Sequence, residues 1–251
     1  MLKVPDSSFV LTLTSAPLPG IIAAVSAAIA RLDGNIVETH QHWDRGTDRF
    51  FLRVAFVGPA GLTVQAVERA LGPAVARFGL EFRIADASHR PRIVAMVSKF
   101  DHALLHLLYQ IRVGWLQAEV AAIVSNHEDA RALAEAAGIR FVHLAVTPAT
   151  KPAQEAALLA LLDETGAEAV ILARYMQVLS DDLSRRLSGR AINIHHSFLP
   201  AFKGAKPYHQ AYERGVKQIG ATAHYITGDL DEGPIIGQDV ARVSHADTAE
   251  D

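Results

Sequence analysis

Three polar side chains in the second half of the chain have the types and spacing for acyl-group chemistry. Ala191-Ile192-Asn193-Ile194-His195-His196-Ser197-Phe198-Leu199-Pro200 reads as a strand running into a turn, and a period of two sets Ile192 and Ile194 on one face and Asn193 and His195 on the other. An amide and an imidazole then project together at the end of a strand, where each unsatisfied polar group costs about 1–3 kcal/mol. Taken alone, Asn-x-His serves equally well to tie down the loop to Pro200. A second run, Gly220 to Ile236, carries His224 and then Asp229, Asp231 and Glu232 between Gly228 and Gly233. Asp229 and Glu232 read as solvated loop carboxylates, and His224 by itself as a satisfied core histidine. Asp231 gains meaning only beside Asn193 and His195. An amide donor stabilises an oxyanion, an imidazole of ordinary pKa about 6.5 exchanges protons near neutrality, and a carboxylate orients it. The set needs no metal and no cofactor. A mononuclear metal site built from His195, His196, His224 and Asp231 is the competing reading; no His-Glu-x-x-His helical spacing occurs, and adjacent histidines on a strand point apart.

The elements that must position these residues are legible as apolar runs. Arg92–Val97, Val120–Ser125, Arg140–Leu144, Ala169–Ala173 and Ala191–His195 read as strands. Helices are expected over His102–Arg112, His127–Ala137, Pro152–Thr165 and Asp181–Leu187. Apolar strands alternating with crossover helices predict a parallel sheet covered on both faces, with ligands beyond the strands' carboxyl ends. The first part of the chain has a different rhythm. A strand over Ser8–Thr14 is followed by a helix opened by Pro19-Gly20 and stopped near Gly34. A hairpin turning at Arg45-Gly46-Thr47 follows, with Ile36, Glu38, His40 and His42 on one face, then a helix through Val64, Val67, Leu71 and Val75 and a strand over Leu80–Asp86. The order βαββαβ is the ferredoxin-like plan. Ser88-His89-Arg90-Pro91 marks the boundary, giving expected domains of 1–88 and 92–251 in an α/β fold.

Composition narrows the partners. The chain has 251 residues, a formal charge of -3 and no basic block, so nothing supplies the footprint that nucleic acid or an anionic membrane requires. Cysteine is absent, which removes disulfides and thiolate chemistry. The longest apolar runs, such as Ile21 to Ala30, are too short to span a bilayer, and Met1-Leu2-Lys3-Val4-Pro5-Asp6 lacks a signal-peptide pattern, so a cytoplasmic location is expected.

The motifs together resemble a known family. Asn193-x-His195 with Ser197 and Leu199-Pro200, then Gly220-x-Thr222-x-His224 and Asp231-x-Gly233-x-Ile235-Ile236, are similar to the signature of the folate-dependent formyltransferases, whose domain is Rossmann-like. Ser98-Lys99-Phe100-Asp101-His102, the His195-His196 pair and Lys203-Gly204-Ala205-Lys206-Pro207-Tyr208 resemble the deformylase branch of that family, with an ACT domain in front that Pro19-Gly20-Ile21-Ile22 resembles more weakly. The resemblance implies hydrolysis of 10-formyltetrahydrofolate to tetrahydrofolate and formate, in the service of one-carbon and purine metabolism. It makes Asn193, His195 and Asp231 the catalytic set, with a protonated His195 beside the Asn193 amide at the oxyanion. Met176, Gln177, Val178 and Leu179, with Thr227 and Gly228, become the folate-binding groups, although Met176 and Leu179 serve a packed turn equally well. No metal is implied, and pairing through ACT units implies a homo-oligomer. A transferase acting on a phosphorylated amine needs a glycine-rich phosphate cradle. The turn Ser98 to His102 has no glycine and carries Asp101, with Lys99 the only cation there to attract an anion. Transfer to an amine acceptor and a weakly active amino-acid sensor are the alternatives. ACT loops of this kind read Asp-Arg-x-Gly where Pro17-Leu18-Pro19-Gly20 stands, so the charged contacts for glycine or methionine are missing. Gly237 stands where deformylases commonly carry Glu, and Val243 to Asp251 resembles the capping start of a final helix, which leaves the catalytic domain short of its last packing element.

Overall fold

The structure, a computed structural model, describes residues 7–204 and 206–250. Met1 to Asp6, Ala205 of the lysine-glycine motif and Asp251 lie outside the described residues. The chain divides into two units, Met1–Arg90 and Pro91–Asp251.

The first unit is built from β1 (Ser7–Ser15), α1 (Ile21–Ala30), β2 (Asn35–Asp44), β3 (Arg49–Gly58), α2 (Val64–Phe78) and β4 (Glu81–Asp86). Its four-stranded antiparallel sheet has the order β2-β3-β1-β4, the ferredoxin-like arrangement. Phe9, Leu11 and Leu13 alternate inward on β1, Leu52, Val54 and Phe56 on β3, and Val25, Ile29, Val67 and Leu71 cover them from the helices. Pro19 precedes the first helix rather than opening its first turn, because Gly20 caps it in a left-handed conformation with φ 96°. The hairpin differs from expectation at one point. The register slips between Ile36 and Glu38, so Ile36 pairs with inward Phe56, whereas Glu38, His40 and His42 pair with outward Ala55, Arg53 and Phe51. A bulge at Val37 therefore splits the expected face of Ile36, Glu38, His40 and His42.

The second unit continues with β5 (Arg92–Val97), α3 (His102–Arg112), β6 (Glu119–Ser125), α4 (Arg131–Ala136), β7 (Phe141–His143), α5 (Lys151–Thr165), β8 (Ala169–Leu172), α6 (Asp181–Arg186), β9 (Ala191–His195), α7 (Pro207–Glu213), β10 (Gln218–Tyr225) and β11 (Ile235–Arg242). The sheet order is β11-β10-β9-β8-β5-β6-β7. The five strands from β9 to β7 run parallel, and β10 and β11 close one side antiparallel. β5 is buried from Ile93 to Val97, as a doubly covered central strand must be. The helix expected from His127 starts four residues later. The Ser125 hydroxyl accepts the His127 N–H at 3.1 Å, and this local bond holds a turn where helix was expected. Residues 243–250 make a turn fastened by Ser244 and Asp247 and form no helix. Among the described residues no helix is long and apolar enough to cross a membrane.

Chain order along the sheet reverses between β5 and β8. The chain builds outward through β6 and β7, then returns to lay β8 and β9 on the other side of β5. A crevice opens at such a reversal beyond the strands' carboxyl ends.

Candidate active site

The crevice is held open by a small polar lattice. Ser98, the residue after β5, donates its N–H to the Arg174 carbonyl at 3.1 Å. Its hydroxyl accepts the Met176 N–H at 2.9 Å and donates to Asn126 Oδ1 at 2.7 Å. The far end of the same loop is gripped by Glu155 on α5, a buried carboxylate that accepts the Ser180 N–H at 2.8 Å and its hydroxyl at 2.5 Å. Between the two anchors Gln154 donates to the buried Tyr175 hydroxyl at 3.3 Å, and burial pushes that phenol up to about 12. The segment 174–180 is thus fixed from both flanks of the crevice.

Opposite stands β9. Antiparallel pairing puts His224 of β10 directly across from Asn193 and Thr222 across from His195, so all four side chains share one face. Thr222 is fully buried; its hydroxyl donates to the Ser197 carbonyl at 2.8 Å and accepts the Leu199 N–H at 3.1 Å, which ties down the loop leaving His195. The 228–233 loop returns onto β10 through the bond from Tyr225 N–H to the Pro234 carbonyl at 2.9 Å. Gly233 makes the return possible, since a Cβ there would stand 1.7 Å from the Tyr225 carbonyl oxygen.

That return delivers Asp231. Its Oδ1 lies 3.4 Å from His195 Nδ1 and 3.8 Å from His224 Nε2, and all three side chains are buried. The Gly204 N–H donates to Oδ2 at 3.2 Å. Asp231 holds φ 56°, a left-handed conformation that aspartate tolerates better than most L residues. His224 Nδ1 is 2.9 Å from the Tyr225 carbonyl, which can only accept, so the proton sits on Nδ1 and Nε2 accepts from the Asn193 amide at 3.3 Å. One N–H of Asn193 stays available for a ligand. Burial holds His195 below the ordinary histidine value, against the upward pull of Asp231. A lowered pKa favours the neutral imidazole, the form that can accept a proton. His196, half-buried beside the Arg174 charge, is pushed down by that burial to about 4.

Asn193, His195 and Asp231 line one cavity of about 380 Å³, and Met176, Gln177, Val178, Leu179, Thr227 and Gly228 line it too. Of the two residues that could serve a packed turn, Met176 is 50% exposed, whereas Leu179 is partly buried against the core as well as lining the cavity. Asp229 and Glu232 are exposed, Glu232 pairing with Lys203, in keeping with their reading as solvated carboxylates. His224, Arg174, Ser98 and Glu155 are the site's other members. In the sequence His224 reads as a core histidine, as a member of the competing metal set or as part of the family signature, and its pairing opposite Asn193 is a tertiary fact that spacing cannot give. Gly237 lies on the fully exposed edge strand β11 with open space around it. No group of three or more His, Asp or Glu among the described residues is arranged to hold a metal ion.

A family model described as formyl transferase matches residues 91–251. A formyltetrahydrofolate deformylase of Corynebacterium sp. (strain P-1) is 49% identical over 237 residues, covering 94% of this chain and 83% of that protein. The chain belongs to the formyltetrahydrofolate deformylase family. Among solved structures, the deformylase of Burkholderia mallei superposes with a TM-score of 0.87 at 49% identity, over 97% of this chain and 86% of that one. Glycinamide ribonucleotide transformylase 1 of Symbiobacterium toebii matches with a TM-score of 0.60 at 37% identity, over only 66% of this chain and 79% of its own. The deformylases thus share nearly the whole length, whereas the transformylase shares about as much as the second unit alone supplies.

Proposed function

We propose that this deformylase-family chain hydrolyses 10-formyltetrahydrofolate to tetrahydrofolate and formate, with Asn193, His195 and Asp231 as the reacting set. The observation that carries the reading is the convergence of an amide, an imidazole and a buried carboxylate on one cavity that the 176–179 and 227–228 segments also line.

The neutral His195 takes a proton from water as its oxygen bonds to the formyl carbon, and Asp231 stabilises the imidazolium that forms. The carbonyl oxygen becomes an oxyanion that accepts the free N–H of Asn193, a donor already oriented by His224. The C–N10 bond then breaks, the imidazolium proton passes to N10, and the acid formed loses its proton and leaves as formate. Main-chain groups of Met176 to Leu179 and of Thr227 and Gly228 hold the pterin edge.

Water as the acceptor fits the turn after β5. Asp101 stands at the start of α3, where a phosphorylated amine would need backbone N–H groups free of a carboxylate. Sharing of the first unit with deformylases points the same way. That unit reads as an ACT-like regulatory module, and its edge strand β2, ten residues long with Val37 and Trp43 exposed, suits pairing of two copies. A cytoplasmic enzyme that supplies formate and free folate to one-carbon and purine metabolism follows from the same reading. Turnover in H2(18)O provides the test: one (18)O per formate is expected, and unlabelled formate would overturn hydrolysis by direct water attack.

A further inference from the structure

Arg174 follows β8 at the point where the sheet reverses, with φ 64°, a conformation rare for a long L side chain. Its carbonyl is fixed by the Ser98 N–H, so the backbone is pinned where it stands. The half-buried guanidinium lines the cavity with His195 and His196 and lies 5.8 Å over the Phe100 ring. Its Nε is the one buried side-chain nitrogen or oxygen among the described residues that lacks a hydrogen-bond partner. No described carboxylate pairs with it. The groups that feel its charge are His195, His196 and Tyr208, none of them an acid that would neutralise it. A partly buried cation with an orphaned N–H is unfavourable unless an anion completes it.

We propose that Arg174 anchors a small-carboxylate subsite that receives the formate anion released in this pocket. The inference rests on the hydrolytic reading above and adds where the product goes. The terminal N–H groups of this unpaired guanidinium, which lines the cavity, form a planar fork that takes both oxygens of one carboxylate. Formate arises at the carbon attacked from His195, on a cavity wall that Arg174 shares, and pairing with the guanidinium draws it from the Asn193 and His195 donors before the folate departs.

The test measures binding of sodium [13C]formate by NMR line broadening, at ionic strength held constant with chloride, for the full chain and for Arg174→Gln and Arg174→Gly. The second variant relieves the left-handed backbone, so it is expected to melt at or above the parent temperature and to separate lost binding from lost folding. Binding by the parent and weakening of tenfold or more in both variants is the expected result. Equal formate affinity in parent and variants, or no binding by the parent, overturns the subsite. Formate release from 10-formyltetrahydrofolate by the parent is measured in parallel. Arg174-dependent binding without release would overturn the hydrolytic reading and formate's origin in this pocket, whereas release with Arg174-independent binding would overturn the subsite alone.

Discussion

Asp231 presents Oδ1 to Nδ1 of His195 at 3.4 Å and to Nε2 of His224 at 3.8 Å, so of the two imidazoles that line the cavity the carboxylate lies nearer His195. Asp231→Asn keeps the shape and removes the charge that stabilises an imidazolium. It is expected to lower kcat by about 10²–10⁴-fold, the range typical of general acid–base groups. Stopped assays of formate release, with near-ultraviolet circular dichroism as a check on folding, measure it.

In the proposed mechanism Asn193 acts on the developing oxyanion and little on the bound ground state. Asn193→Ala is therefore expected to reduce kcat by about 10²–10³-fold while KM moves little. His224→Ala, which removes the acceptor orienting that amide, should fall in the same direction by a smaller factor. Steady-state kinetics on both variants separates the two.

In the proposed mechanism the acid limb of the kcat/KM profile belongs to His195 as the base. Because burial depresses its pKa, activity should persist below the ordinary histidine value of about 6.5 before it falls. Asp231 raises that pKa, so in Asp231→Asn the limb should move to still lower pH, and a shift upward would count against the pairing. A pH–rate series on both proteins reads the direction.

His196 makes stability pH-dependent. The unfolded chain takes up its proton near pH 6.5, the folded chain only near 4, so this contribution is fully present above about 6.5 and is lost as pH falls toward 4. After allowance for solvent screening the loss is on the order of 1–2 kcal/mol. Urea midpoints measured from pH 7 to 4 should fall less steeply in His196→Gln than in the parent.

Glu155 does not line the cavity but grips Ser180 at the end of the 174–180 loop. Glu155→Ala leaves the Ser180 N–H and hydroxyl unsatisfied and should cost about 1–3 kcal/mol of stability. It should also raise KM several-fold with kcat nearly kept, and Glu155→Gln should recover part of the affinity.

The sequence marks some of these parts and hides others for physical reasons. β5, β6 and β8 are legible because strands covered on both faces are largely apolar, and β9 because Ile192 and Ile194 alternate with Asn193 and His195. β11 is exposed at all eight residues, so no buried face writes a period of two into Ile235–Arg242. α7, seven residues beginning at Pro207, is too short for its periodicity to stand out from the turn before it. Asn193 and His195 are recoverable as a pair because strand period places them on one face, and Asp231 joins them through the motifs that carry the family resemblance. The roles of His224, Arg174 and Glu155 arise from pairing across β9 and β10, a positive φ after β8 and a carboxylate arriving from α5, all decided by tertiary structure.

The most direct test of hydrolysis is to incubate 10-formyltetrahydrofolate with the protein and water alone and to follow formate and tetrahydrofolate together. Hydrolysis by the Asn193, His195 and Asp231 set predicts one formate per tetrahydrofolate with no amine present, and loss of both products in Asp231→Asn. Formate absent from the parent reaction, or a folate product that forms only when an amine acceptor is added, would contradict it.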